Sequence, residues 1–128
     1  MKHEGTRSPL ARAIGLGSAK SGAEQWWAER VSAVALVPLS VWFVGSIIAH
    51  SGSDHATFTS WLSAPMPMIL MVLLVIAVFH HAALGLQVIV EDYVHSTIKF
   101  ALIVAVRLGC FASAVAGVLA VLRIGFSG

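Results

Sequence analysis

The side chains best suited to chemistry in this chain are His81, Gly85, Val88 and Asp92, followed by Tyr93. Their spacing of i, i+4, i+7 and i+11 keeps the first four on one face of a helix. A neutral imidazole can bind a metal through one ring nitrogen while the other finds a hydrogen-bond partner. A carboxylate beside a phenol can hold and deliver protons. The surrounding residues are almost all apolar, and polar groups in such a setting are costly enough to be candidates for function.

Two adjacent histidines compete for the ligand role. His81 has Ala77 one turn before it and Gly85 one turn after, a face flat enough for a planar macrocycle. His80 shares its face with Leu73, Ile76, Leu84, Gln87 and Glu91, which is bulkier and more polar. This comparison favours His81. On the residues alone it is equally open that either histidine hydrogen-bonds a neighbouring helix. A lone imidazole supplies half of a bis-histidine haem site. His50, His55 and His95 fall at segment ends or in loops, so a second axial ligand would come from a partner subunit.

Asp92 and Tyr93 lie about 16 Å along a helix from His81. There a tyrosine hydroxyl could donate to a quinone oxygen, with the carboxylate orienting it or relaying protons. The same residues also suit an interfacial anchor and a solvated helix end. Arg30 marks the start of the first apolar segment, at the membrane level expected for Asp92 and Tyr93. It could pair with a propionate carboxylate, and anchoring at a membrane surface explains it equally well. Arg107 falls inside an apolar run, where a snorkelling path or a structural pair accounts for it better than a direct cofactor role.

The elements that must position these groups are membrane helices. Of 128 residues 58% are hydrophobic and 11% charged, and the mean hydropathy is +0.87, too apolar for an ordinary soluble domain. Residues 31–49 carry no charge, 56–90 contain only two histidines as ionisable groups, and 100–122 carry one arginine. A hydrocarbon core of ~30 Å needs about 20 helical residues, so each stretch can cross. The expected class is all-α: a bundle of three transmembrane helices, spans at about 30–49, 67–91 and 98–122, preceded by a mostly irregular arm over residues 1–24. Residues 25–128 form the anchor, and no room remains for a soluble catalytic domain. The 50–64 connection reads as a polar loop, and Pro65 and Pro67 suit the first turn of the second span. Pro38 sits inside the first span. Trp26 and Trp27 suit the headgroup zone at its start, with Trp61 a candidate anchor at the opposite surface.

The single Cys110 excludes an internal disulfide and cannot alone hold an iron–sulfur cluster. The basic residues lie beside a membrane segment, so nucleic-acid binding is not expected. Lys2, Arg7, Arg12, Lys20 and Arg30 precede the first span, Lys99 adjoins the 2–3 turn, and the 1–2 connection has neither Lys nor Arg. The positive-inside rule then puts the N-terminus and the Asp92–Tyr93 turn in the cytoplasm. Glu4, Glu24 and Glu29 argue against a secretory signal or transit peptide. The expected setting is a bacterial inner membrane, in preference to the mitochondrial one.

The run His81-Ala-Ala-Leu-Gly85-Leu-Gln87-Val-Ile-Val-Glu-Asp92-Tyr93-Val94-His95 resembles the second-span signature of the small cytochrome b membrane-anchor subunits of succinate dehydrogenase, complex II. Arg30-Val-Ser-Ala-Val resembles the family's Arg-x-Ser/Thr-Ala start of the first span. The run departs at Ala82-Ala83, where many relatives carry an aromatic. The resemblance implies that His81 is an axial ligand of haem b, shared with the larger cytochrome b anchor subunit. It implies that Tyr93 and Asp92 line a ubiquinone pocket formed with that subunit and the iron–sulfur subunit, and that Arg30 lies near a haem propionate. FAD and iron–sulfur clusters would reside on the flavoprotein and iron–sulfur partners, with membrane lipids around the anchor. The chain would be part of an enzyme without catalysing alone. Other readings are the anchor of a quinol:fumarate reductase, a cofactor-free scaffold or assembly protein, and a small proton conductor. The last lacks a polar path through the first half of the second span.

Overall fold

A computed structural model describes residues 18–127 of the chain. Four helices follow one another: α1 (Ser18–Ala49), α2 (His55–Ser63), α3 (Pro65–Tyr93) and α4 (Ile98–Ser127). Three are long and apolar enough to cross a membrane, α1 through its Trp26–Ala49 portion, α3 and α4 over their whole lengths. The all-α, three-span architecture is therefore as expected from composition. The helices are longer than the hydropathy runs because polar terminal residues can continue a helix that the apolar run has begun.

Two local expectations need correction. Residues 18–24, expected as the end of an irregular arm, form the first turns of α1; Ala19, Lys20, Ala23 and Glu24 are good helix formers and no proline interrupts them. Residues 1–17 of that arm lie outside the described residues. The 50–64 connection is not all loop, because residues 55–63 form α2. Asp54 caps it, accepting the Thr57 N–H at 2.8 Å, and Phe58, Trp61 and Leu62 follow at helical spacing. Hydrogen bonds from Thr57 hold the Asp54 carboxyl below the usual carboxylate range. Gly52 makes the turn before it at φ +88°, a left-handed conformation that suits glycine. Ala64 alone separates α2 from α3. It precedes Pro65, which disfavours helical geometry there, and it is extended at φ −66°, ψ 147°. Pro65 then occupies the first turn of α3, where the missing N–H does no harm.

α3 is the central helix, packed on α1 along one side and α4 along another, and α2 tucks against the ends of α3 and α4. The α3–α4 pair is antiparallel in close register: Gln87 meets Arg107, Val75 meets Gly117 and Met68 meets Gly125. Between apolar helices in lipid there is little hydrophobic drive to associate, so close approach at small residues carries the packing. A Cβ on Gly117 would stand 2.8 Å from Val75 Cγ1, and one on Gly125 would run into the Met68 sulfur. At the far end α1 closes on α2 through aromatic rings, Trp42 stacking on Trp61 at 6.0 Å and His50 lying 4.3 Å from Trp61.

Arg107 is held by a structural pair. Its Nε and Nη2 both donate to Gln87 Oε1, at 2.9 and 2.7 Å, and Gln87 Nε2 donates to Glu91 Oε1 at 3.0 Å. The amide thus relays between a guanidinium on α4 and a carboxylate one turn along α3. Gln87 is only 9% exposed, so its polar atoms depend on these partners.

Two outcomes are expected. Gly117→Leu should destabilise the detergent-solubilised protein by about 1–3 kcal/mol, and Val75→Ala in the same chain should restore part of the loss; an unchanged melting temperature would show that the helices do not meet there. Gln87→Leu should cost roughly 1–3 kcal/mol by leaving Arg107 without its acceptor. The double variant Gln87→Leu/Arg107→Met should lie closer to wild type; equal losses in single and double variants would remove the pairing argument.

Candidate functional site

His81 faces α1. Its Nδ1 lies 2.9 Å from the hydroxyl of Ser32, and the same hydroxyl donates to the Glu29 carbonyl at 2.9 Å. Ser32 is 6% exposed, the most deeply buried polar residue among those described. The imidazole is half-buried, and its other nitrogen, Nε2, has no hydrogen-bond partner among the described residues. One turn further, a Cβ placed on Gly85 would meet nothing within 4 Å. The histidine therefore stands beside an open, side-chain-free stretch of helix, with one nitrogen engaged and one available.

Neither spacing nor hydropathy singles out Ser32 as a partner of His81. Ser32 shares the apolar run with Ser40 and Ser46 and is set apart only by its place in Arg30-Val-Ser-Ala; which face of α1 meets α3 is decided by packing. The contact also sets the level of the other candidates. It lies 17 residues from the end of α1 and 16 from the start of α3, so the two helices run antiparallel with their ends aligned.

Counting along both helices from that contact, Arg30 lies about 3 Å from the level of His81 and about 15 Å short of Tyr93. This corrects the expectation that Arg30 shares the level of Asp92 and Tyr93, because the helix register sets it near His81 instead. Two residues before Ser32 on a helix is about 200° around, so Arg30 points away from α3. It is exposed, with its guanidinium 5.2 Å from the centre of the Trp26 ring. Asp92 and Tyr93 end α3, both exposed, Tyr93 at 79%. The Val94 N–H closes the helix on the Val90 carbonyl at 3.0 Å. The structure thus gives two separate polar levels, His81 with Arg30 and, about 18 Å along α3, Asp92 with Tyr93.

His80 lies on the other working face of α3. It opens into a groove of about 640 Å³ between α3 and α4, with Gln87 and Arg107 at one end and Phe111, Val115 and Leu119 among its apolar lining. The groove is therefore beside His80, whereas the imidazole with a buried partner is His81. A site completed by a second subunit leaves no closed cavity in one chain, so the groove's size does not decide between the histidines. The buried hydrogen bond favours His81. Among the described residues no three His, Cys, Asp or Glu side chains converge as a chelating group.

The family model described as succinate dehydrogenase/fumarate reductase transmembrane subunit matches residues 5–119. Curated relatives named succinate dehydrogenase hydrophobic membrane anchor subunit are similar over most of their length. One from Rickettsia bellii is 35% identical over 116 residues, covering 90% of this chain and 93% of the relative. One from Paracoccus denitrificans is 34% identical over 119 residues, covering 92% of each, and one from Rickettsia conorii is 31% identical over 116 residues, covering 89% and 92%. No solved structure gives a significant match. With three apolar helices in the expected order and a match spanning nearly the whole sequence, the chain belongs to the transmembrane-subunit family of succinate dehydrogenase and fumarate reductase.

Proposed function

We propose that this chain is the small membrane anchor of a succinate:quinone oxidoreductase, in which His81 is an axial ligand of a haem b shared with the larger anchor subunit. Tyr93 and Asp92 help form the ubiquinone site on the cytoplasmic side of a bacterial inner membrane. The observation that carries the haem assignment is the engaged Nδ1 of His81 beside the open flank at Gly85. The donor set fits: a porphyrin needs one imidazole nitrogen without a protein partner and a helix face without bulk, and this face offers an unpartnered Nε2 beside Gly85. Arg30 lies near the same level but on the far side of α1, so contact with a propionate carboxylate would require its long side chain to leave Trp26 and reach round that helix. When bound, the haem supplies a one-electron carrier inside the membrane.

The remaining work of the chain is proton handling and placement. Ubiquinone reduction to the quinol takes two electrons and two protons. The electrons come from succinate through the flavin and iron–sulfur clusters of the partner subunits. The Tyr93 hydroxyl donates a hydrogen bond to one quinone carbonyl oxygen and can pass its proton as charge builds there. Asp92, next along the backbone and open to water, orients that hydroxyl and connects it to solvent. Their exposure in the single chain suits a pocket whose other wall belongs to partner subunits. The relatives' names favour succinate oxidation over a fumarate-reducing role.

A reduced-minus-oxidised spectrum of the purified complex tests the haem assignment. The b-type signal should be lost in His81→Ala and kept in His80→Ala, and the reverse pattern would move the ligand to the α3–α4 groove. Tyr93→Phe should slow ubiquinone reduction on the order of 10²-fold while succinate oxidation by an artificial acceptor continues. Equal loss of both activities would mean that Tyr93 serves assembly.

A further inference from the structure

We propose that Ser32 is the positioning residue for His81: its hydroxyl holds the proton on Nδ1, aims Nε2 at the iron and sets how strongly that nitrogen donates. The inference rests on the haem reading given above and adds a residue outside the ligand set.

The hydrogens available to Ser32 and His81 fix which group donates to which. A serine hydroxyl carries one hydrogen and can accept as well as donate. Here it makes two contacts, 2.9 Å to the Glu29 carbonyl and 2.9 Å to His81 Nδ1. The carbonyl can only accept, so the hydroxyl hydrogen goes to it, in the back-bond to the preceding turn that serines make within helices. Both contacts are then satisfied only if Nδ1 carries a hydrogen and donates it to the Ser32 oxygen. A neutral imidazole protonated at Nδ1 has its lone pair on Nε2. The reverse arrangement, with the hydroxyl donating to Nδ1, would put the hydrogen on Nε2 and leave nothing to bind iron.

Burial makes this choice matter. Ser32 is 6% exposed, and in an apolar helix pair an unpaired ring N–H has no water to turn to. A hydroxyl already donating to a carbonyl is a stronger acceptor, since chains of hydrogen bonds polarise one another. Partial transfer of the Nδ1 hydrogen toward Ser32 enriches the ring in electrons, which raises ligand basicity at Nε2 and stabilises the ferric form. The same bond stops the ring from rotating about its attachment. It is also the side-chain hydrogen bond by which α1 grips α3 among the described residues.

The test compares Ser32→Thr with Ser32→Val in the intact purified complex, since the two side chains share a shape and differ in the hydroxyl. Threonine in a helix makes the same back-bond. Ser32→Thr should keep the wild-type midpoint potential and ferric low-spin resonance. Ser32→Val should raise the potential, alter the resonance and weaken haem retention in detergent about tenfold or more. Identical potentials, spectra and retention in the two variants would overturn the role of Ser32, as would a threonine variant as impaired as the valine one. Failure of the underlying reading looks different: a wild-type complex without b-type haem, or one that keeps its haem in His81→Ala, would remove the ligand itself.

Discussion

Every polar atom placed among these helices has to find its partner within the protein, because neither lipid nor an apolar neighbour can supply one. Among the described residues two polar side chains are buried, Ser32 and Gln87, and each is the middle of a short hydrogen-bonded chain. Ser32 ties the backbone of α1 to His81; Gln87 ties Arg107 of α4 to Glu91. Both chains end on α3. The central helix is thereby clasped from two sides, and its rotation about its own axis is determined. A turn of α3 that freed one clasp would strand buried polar groups at the other.

That rotational constraint divides the helix into working faces. Residues 80 and 87 turn toward α4, where an arginine donates to the Gln87 amide and the helices close over Gly117 and Gly125. Residues 81 and 85 turn toward α1 and the open flank. Adjacent histidines thus come to opposite fates through a step of about 100°. His80 borders an apolar groove, and His81 enters a hydrogen bond that leaves one nitrogen for chemistry.

The axial order matters as much as the faces. Alignment of α1 against α3 puts Arg30 near the histidine level and leaves Asp92 and Tyr93 at the helix end, exposed to partner subunits or water. An electron carrier belongs deep in the apolar layer, where its potential is shielded from solvent, and a site that takes up protons belongs at the boundary. On the proposed function, the separation of about 18 Å along one helix would give both placements without a moving part.

Much of this was legible in the residues. Three uncharged or nearly uncharged runs of sufficient length leave few alternatives to three membrane helices, since the bilayer imposes both length and apolarity. The helical spacing of His81, Gly85 and Asp92, with Tyr93 following, marked α3 as the helix of candidate chemistry, because a face is a property of spacing alone. Asp54 with Phe58 and Trp61 carried the signal of α2 as well, a cap followed by a helical period, though polar composition masked it as loop. The partners of the polar groups were not legible. Ser32 and Arg107 are 49 and 20 residues from the side chains they bind, and nothing local distinguishes one face of an apolar helix from another. Hydropathy says that a helix is buried in lipid or protein; only packing the helices against one another decides which nitrogen is tied and which is left free.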